Sequence, residues 1–435
     1  MTILGLDCGS SSIKAAVLRN GKAVGKIARG TYTTEFDGVR AEINPAHVLA
    51  ALADAIGQLG AAAKKVDHIA IDVMAPSWIA LDKRGKPLTP IITHQDRRSV
   101  DIAVELERRV GKARHLRLAG NRPFPGGISS TTFAWFAKHQ PAILKKADLV
   151  GHLSTFLNRV LTGARVTDPS NASFMGLFNT LTLKGWNDEL CDAVGADKRL
   201  LPEVHDGDVI AGTVSAQAAR RFGLSAGTPV LVGLIDTSST VLLRGARPGQ
   251  LLNVAGSTDV LALCTDKPRA DAKLLTRAVG IGRCWMQVST LAAAGSTFNW
   301  IHNQLFEELS TKEFYKLMDR LAAKPLESGV RFEPYLAGER TSIEQRSGAF
   351  TGLTLASTRE HLLSAVVEAM AEASAARLPL LKKTGTRMRP DVLLSGGLQG
   401  GLERVLHRDW AGHWRFHRED EATLRGLAKL TPRKR

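Results

Sequence analysis

Residues 7–14 read Asp-Cys-Gly-Ser-Ser-Ser-Ile-Lys and follow directly on the apolar run Ile3–Leu6. One carboxylate, one glycine, three hydroxyls and a cation at this spacing can grip a phosphate. Gly9 lets the backbone turn tightly and come close to an anion. The turn amides and the hydroxyls of Ser10, Ser11 and Ser12 can donate to phosphate oxygens, and Lys14 adds charge. Asp7 can hold magnesium through water, because that ion keeps several waters. A plain hairpin turn whose serines satisfy local backbone groups uses the same residues. On these residues alone both readings stay open.

The elements around this segment narrow the choice. A second strand-like run, Ile13–Arg19, is followed by Asn20-Gly21, a tight-turn pair, with Lys22–Ala28 expected as a third strand. The grip therefore lies between antiparallel strands. A P-loop would need a helix after the loop, and the chain holds neither G-x-x-x-x-G-K-[ST] nor a strand–G-x-G-x-x-G–helix run. A β-hairpin phosphate grip resembles the entry to the actin, sugar-kinase and heat-shock-chaperone architecture.

Further along, strand-like and helix-like segments alternate, which predicts an α/β fold. Pro45–Leu59 reads as a helix, His68–Asp72 as a strand, and Ser99–Val110 as a helix. Trp78–Leu81 and Leu88–Ile92 flank a hairpin-type connection, and Thr167–Ser173 reads as a loop. Pro229–Ile235 is a buried-strand candidate ending at Asp236, and Leu251–Ala255 ends at Gly256-Ser257-Thr258. Ser357-x-x-Glu360 reads as a capping box for a helix over Thr358–Lys382 that Pro379 kinks or ends. Asp391–Leu394 then runs into Ser395-Gly396-Gly397. The strand and turn at 251–260 echo those at the N-terminus, which suggests two similar halves, each offering one glycine/hydroxyl turn. The bland alternative is two unrelated hairpins. A connector at Leu243–Gly249 places the expected domains at residues 1–243 and 244–435.

Composition sets bounds. At 435 residues, two domains are the natural expectation. No run reads as a membrane span, no signal peptide is evident, and the four cysteines form no C-x-x-C, so neither zinc nor a disulfide framework is indicated. A cytoplasmic, reduced protein without membrane association is expected. The formal charge of +16 raises nucleic-acid binding as a reading. The basic pairs are dispersed, however, and no aromatic-basic interleaving builds a base-stacking surface. A basic surface also attracts anionic nucleotides.

Longer runs carry a specific resemblance. Asp7–Lys14, Leu88-Thr-Pro-Ile-Ile-Thr-His-Gln-Asp96-Arg-Arg98, Thr167-Asp-Pro-Ser-Asn-Ala-Ser173 and Gly185-Trp-Asn-Asp-Glu-Leu resemble motifs of the FGGY family of carbohydrate kinases. So do Gly256-Ser-Thr, Pro334-Tyr-Leu-Ala-Gly-Glu-Arg-Thr341 and Gly348-x-Phe-x-Gly-Leu353, the match running nearly end to end. The resemblance implies two actin-like (ribonuclease H-like) ATPase domains with an inter-domain cleft, and an enzyme using ATP and Mg2+. Its substrate would be a small sugar, with xylulokinase, sedoheptulokinase and gluconokinase types all in view. A ketose (pentulose or heptulose) leads. A gluconate-type aldonate, or a pseudokinase sensor without turnover, is the alternative. A homodimer stays open.

The resemblance also implies roles. Asp236 would be the general base, since phosphoryl transfer to a poor nucleophile needs a carboxylate beside the hydroxyl; a helix N-cap is the compatible structural reading. Asp7 would organise the metal. Gly9, Ser10, Ser11, Ser12 and Lys14 would hold phosphates from one side, and Gly256 and Ser257 from the other. Gly295, Asn299, Gly397 and Gly401 would border the nucleotide. Asp96 would accept hydrogen bonds from the substrate, with Arg98 either a ligand or an ion-pair partner. Trp78 would be a stacking surface or core. The sugar side departs from the pattern. Met74-Ala75-Pro76 stands where Gln-Met-His is common, His94 replaces a tryptophan, and Thr237 follows the base position where Gln or Asn is usual.

Overall fold

The computed structural model describes residues 1–344, 346–397 and 401–434. Two compact units emerge. The first comprises Met1–Arg247, Asp266–Met286 and Glu421–Arg435; the second comprises Pro248–Thr265 and Gln287–Asp420. The chain thus crosses between units within the expected connector, at Arg247–Pro248, and again around 266–286 and at 420–421.

In the first unit, strand β1 (Thr2–Cys8) pairs antiparallel with β2 (Ser12–Arg19). The apolar residues Leu4, Leu6, Ile13 and Ala15 of these strands enter one core with helix α1 (Pro45–Leu59). Asn44 caps that helix through a 2.9 Å bond from the Ala46 N–H, and Pro45 suits its first turn. The stretch Pro45–Lys64 is long and apolar enough to cross a membrane, but Val48, Leu52, Ala55 and Ile56 are core residues here. Strand β3 (His68–Val73) lies parallel to β1. The sheet continues to Pro229–Leu231 and Ile210–Thr213 on one side, and beyond β2 to Lys22–Ala23 on the other.

Several local expectations need correction. The third strand is only Lys22–Ala23, and a separate strand, Ala28–Thr31, pairs with the start of β2. The run Thr167–Ser173 is not a loop. Asp168 caps a short helix, Pro169–Met175, by accepting the N–H groups of Ser170 and Asn171. The buried strand before Asp236 breaks at Gly233, whose φ is +88°, leaving Pro229–Leu231 and Leu234–Ile235. Helix α2 (Asp236–Leu242) follows immediately.

In the second unit, β4 (Leu251–Ala255) pairs antiparallel with β5 (Asp259–Thr265). Helix α3 (Gly295–Leu305) and helix α4 (Arg359–Ala375) pack into this unit's core through Phe298, Ile301, Leu363, Val366 and Met370. The capping box of α4 is Thr358 with His361, one residue later than Ser357 with Glu360. The helix also ends before Pro379, at Ala375 with Ala376 as its C-cap, and Arg377–Lys382 forms a separate short helix. Strand β6 (Asp391–Ser395) lies parallel to β4.

The chain returns to the first unit with helix α5 (Ala422–Leu427), which packs on α2 and β1. Contact is close enough that a Cβ at Gly426 would sit 1.8 Å from the Ser239 carbonyl oxygen, so only glycine fits.

Candidate functional site

The first turn is built by the β1–β2 hairpin. The Gly9 N–H donates to the Ser12 carbonyl at 3.0 Å, the Tyr32 N–H donates to the Ser11 carbonyl at 3.0 Å, and the Tyr32 hydroxyl donates to the Gly9 carbonyl. Ser10 and Ser11 are exposed, and no described group bonds their hydroxyls. Gly9 is not required by its own backbone, because its φ is not in the left-handed region and a Cβ would meet nothing nearer than 3.5 Å. Open space above the turn, with unused hydroxyls beside it, is what a phosphate would occupy.

Around the turn stand three carboxylates. Asp7 lies at the end of β1, 8% exposed, and accepts a 2.7 Å hydrogen bond from the Thr423 hydroxyl. Burial pushes the Asp7 carboxyl above its usual range; Thr423 and Lys14 oppose that and Asp236 adds to it. The Lys14 ammonium is 2.6 Å from Glu421, so its charge is shared with α5's leading residue. Asp236 opens α2 as its first residue, not as its cap, which is Ile235. Its Oδ1 accepts the Thr237 hydroxyl at 2.8 Å and the Thr237 N–H, while no described group donates to Oδ2. Backbone support comes from Ser170, whose hydroxyl accepts the Ile235 N–H at 3.1 Å and itself donates to Asp168. The third carboxylate, Asp72 on β3, escaped the sequence reading. Its signal was an acid inside the apolar run His-Ile-Ala-Ile-Asp-Val. Thr423 and Glu421 had no local signal, since they come from the far end of the chain.

The second turn, Gly256–Thr258, closes the β4–β5 hairpin and is seated on the start of α3. The N–H groups of Ala294 and Gly295 donate to the carbonyls of Ser257 and Gly256 at 2.8 and 3.0 Å, and the Ser296 hydroxyl donates to Ser257 at 2.9 Å. Parallel register brings the end of β4 beside the end of β6, Val254 opposite Ser395, so the Gly396-Gly397 turn is a neighbour. Gly397 is exposed with nothing within 4 Å of a Cβ position. Asn299 is exposed on α3, whereas Gly295 is buried. Gly401 is buried, and a Cβ there would lie 3.0 Å from the Asp319 carboxylate.

The expected sugar-side residues are placed differently. Trp78 is core. It is 1% exposed and stacks on Phe136 with centroids 4.7 Å apart, offering no face to a ligand. Asp96 is 1% exposed, and its oxygens accept the Ala41 N–H at 2.9 Å and the Arg98 Nε at 2.9 and 3.0 Å. Arg98 also binds Glu42 and lies 5.2 Å from the Trp135 ring centroid. This pair is an internal brace, which is the ion-pair alternative for Arg98.

Residues 2–243 match the model of the N-terminal domain of the FGGY family of carbohydrate kinases, and residues 251–400 match that of the C-terminal domain. The chain belongs to this family. It is a carbohydrate kinase of an ATP-using family. Among relatives, it is 27% identical to the xylulose kinase of Streptomyces rubiginosus over 92% of this chain and 80% of that one. It is 26% identical to the gluconokinase of Bacillus subtilis over 84% and 74%. The crystal structure of xylulose kinase from Rhodospirillum rubrum is similar with a TM-score of 0.85 and 25% identity, over 99% of this chain and 90% of that one. The kinase fold accounts for why two glycine turns, each at the end of a strand, recur with the same wiring.

Proposed function

We propose that this kinase transfers the γ-phosphoryl group of ATP to a hydroxyl of a small ketose, a pentulose or heptulose, with Asp236 as general base. The observation that carries this reading is the state of Asp236. Its Oδ1 is fixed by Thr237 at the start of α2, while Oδ2 has no donor among the described residues. One oxygen is held and the other is available to take a proton. As the sugar oxygen forms its bond to phosphorus, the bridging bond to ADP breaks and the hydroxyl proton passes to Asp236. Ser10, Ser11 and the Gly9 turn donate to phosphate oxygens, and Gly256 with Ser257 offers a second glycine turn of the same kind.

Magnesium fits the residues present. Asp7 is a hard oxygen donor beside a second acid, Asp236, and a lysine already committed to Glu421. When bound, the ion would neutralise charge on the transferring phosphoryl group. The ketose assignment draws on the xylulose kinases among the relatives; an aldonate acceptor is the second reading, favoured by the gluconokinases and by the basic balance. Measuring ADP release against a panel of pentuloses, heptuloses, aldonates and polyols tests both. The ketose reading expects the greatest acceleration from a ketose. Acceleration by gluconate alone would replace it, and no acceleration by any member would leave a binding protein without turnover.

A further inference from the structure

Strand β3 carries an acid near its C-terminal end that the family roles above leave unused. In the parallel register of β1 and β3, Asp72 lies directly beside Asp7. Asp72 is 0% exposed, and neither of its oxygens accepts a hydrogen bond from a described residue. The Ser239 hydroxyl is a neighbour but makes no hydrogen bond of normal geometry, and it too is buried without a partner. The charges that act on Asp72 are Asp7 and Asp236, both negative. A buried carboxylate left in this state costs several kcal/mol unless something positive or a proton joins it. The bland account is a proton shared between Asp7 and Asp72. The alternative is an ion.

We propose that Asp72 joins Asp7 in seating a divalent cation, so that this chain holds the ion with two carboxylates and without help from nucleotide. The inference rests on the reading of Asp7 as the metal residue. Two adjacent carboxylate side chains at the end of parallel strands present hard oxygen donors of the kind magnesium and manganese take. Burial strengthens their attraction for such an ion, since the field is less screened than in water. The second carboxylate makes occupancy independent of ATP.

The test uses Mn2+ alone on the full chain, with no nucleotide and no sugar present. Free Mn2+ is followed by electron paramagnetic resonance for the parent, Asp72→Asn and Asp72→Ser, after circular dichroism has checked folding. The parent is expected to take up one ion per chain, and each variant to bind about tenfold more weakly or worse. The parent's melting temperature should also rise with Mn2+ at constant ionic strength, and the variants' should not. If a folded variant binds Mn2+ as tightly as the parent, Asp72 shares a proton with Asp7 and the proposal is overturned. If neither variant folds, the parent decides: uptake supports the seat and no uptake overturns it. Failure of the sugar-kinase reading would show in the acceptor panel and leave these titrations untouched.

Discussion

The two glycine turns share one wiring and differ in almost every charge. In each, an antiparallel hairpin is flanked by a third strand parallel to its first: β1, β2 and β3 in the first unit, β4, β5 and β6 in the second. Two residues before the turn glycine, the first hairpin has Asp7 beside Asp72, and the second has Val254 beside Ser395. The acid that does follow the second turn, Asp259, is spent internally. Arg377 donates to it at 2.5 Å, and Ser374, Asn253, His407 and Trp410 complete a buried network behind the turn. The backbone frame thus dictates where a phosphate turn sits, and the side chains behind it decide its work. Behind the first stand carboxylates, Asp7 and Asp72. The second is braced as a fixed anchor.

Breaking the brace should have the largest effect. Arg377 is 3% and Asp259 0% exposed, so Arg377→Leu leaves a buried carboxylate without its cation. A loss of about 3–5 kcal/mol is expected, the usual scale for removing one partner of a buried pair. Urea denaturation checks it. A loss below 1 kcal/mol, near the scale of an exposed pair, would mean that the second turn does not depend on this network.

Asp236→Asn sharpens the comparison from the other side. It should lower turnover by about a hundredfold or more, the scale of general-base catalysis, with nucleotide affinity nearly unchanged. Steady-state kinetics with calorimetric ATP titration would show both. Equal turnover in variant and parent would take the proton chemistry away from the first unit.

A smaller change probes the turn beside the second anchor. Gly396 has φ +102°, and a Cβ there would sit 2.2 Å from the Ala255 carbonyl oxygen. Gly396→Ala should cost about 1–3 kcal/mol through backbone strain. Gly397→Ala, where nothing lies within 4 Å, should cost far less stability and, if nucleotide lies against that glycine, more ATP affinity. Equal effects of both variants on stability and on affinity would erase the distinction between a structural and a ligand-facing glycine.

Much of this was readable beforehand, for physical reasons. The strand ends that carry Asp7 and Asp236, and the turn after Asp7, were legible because strand ends followed by polar turns are local patterns. The echo between the two hairpins was legible for the same reason. For Trp78 and Arg98 the sequence left two readings open, stacking surface or core and ligand or ion-pair partner, since their fate depends on what packs against them: Phe136 for the indole, Glu42 and Asp96 for the guanidinium. Asp72 was passed over because a strand's apolar pattern drew attention from its one charge. Thr423 reaches Asp7 across a separation of 416 residues, and no local rule anticipates such a contact. The capping box slipped by one residue because Thr358 and His361 compete with Ser357 and Glu360 for the same helix start.

Acid bears on both units, since burial lowers the pKa of His407 in the second unit's network from 6.5 to about 4 and lowers that of a histidine of the first as well. The first unit's interior holds His152, fully buried, with its ring Nε2 2.9 Å from the Ser129 hydroxyl. Burial lowers its pKa from 6.5 to about 3. The unfolded chain therefore binds a proton below pH 6.5 that the folded chain refuses until about pH 3, and stability falls as pH is lowered through that window. Asp168 works in the opposite sense. Burial raises its carboxyl from 3.8 to about 6, so the folded chain binds the extra proton and stability falls as pH rises from 3.8 toward 6. Between these limits the two slopes oppose each other, each at about 1.4 kcal/mol per pH unit. Removing one should expose the other. His152→Gln keeps a polar side chain beside Ser129 and abolishes the titration, so the variant should gain stability relative to the parent as pH falls from 6.5. Chemical denaturation of both proteins at half-unit steps from pH 7 to pH 4 measures the difference. Parallel curves would mean that His152 is protonated alike in the folded and unfolded chain.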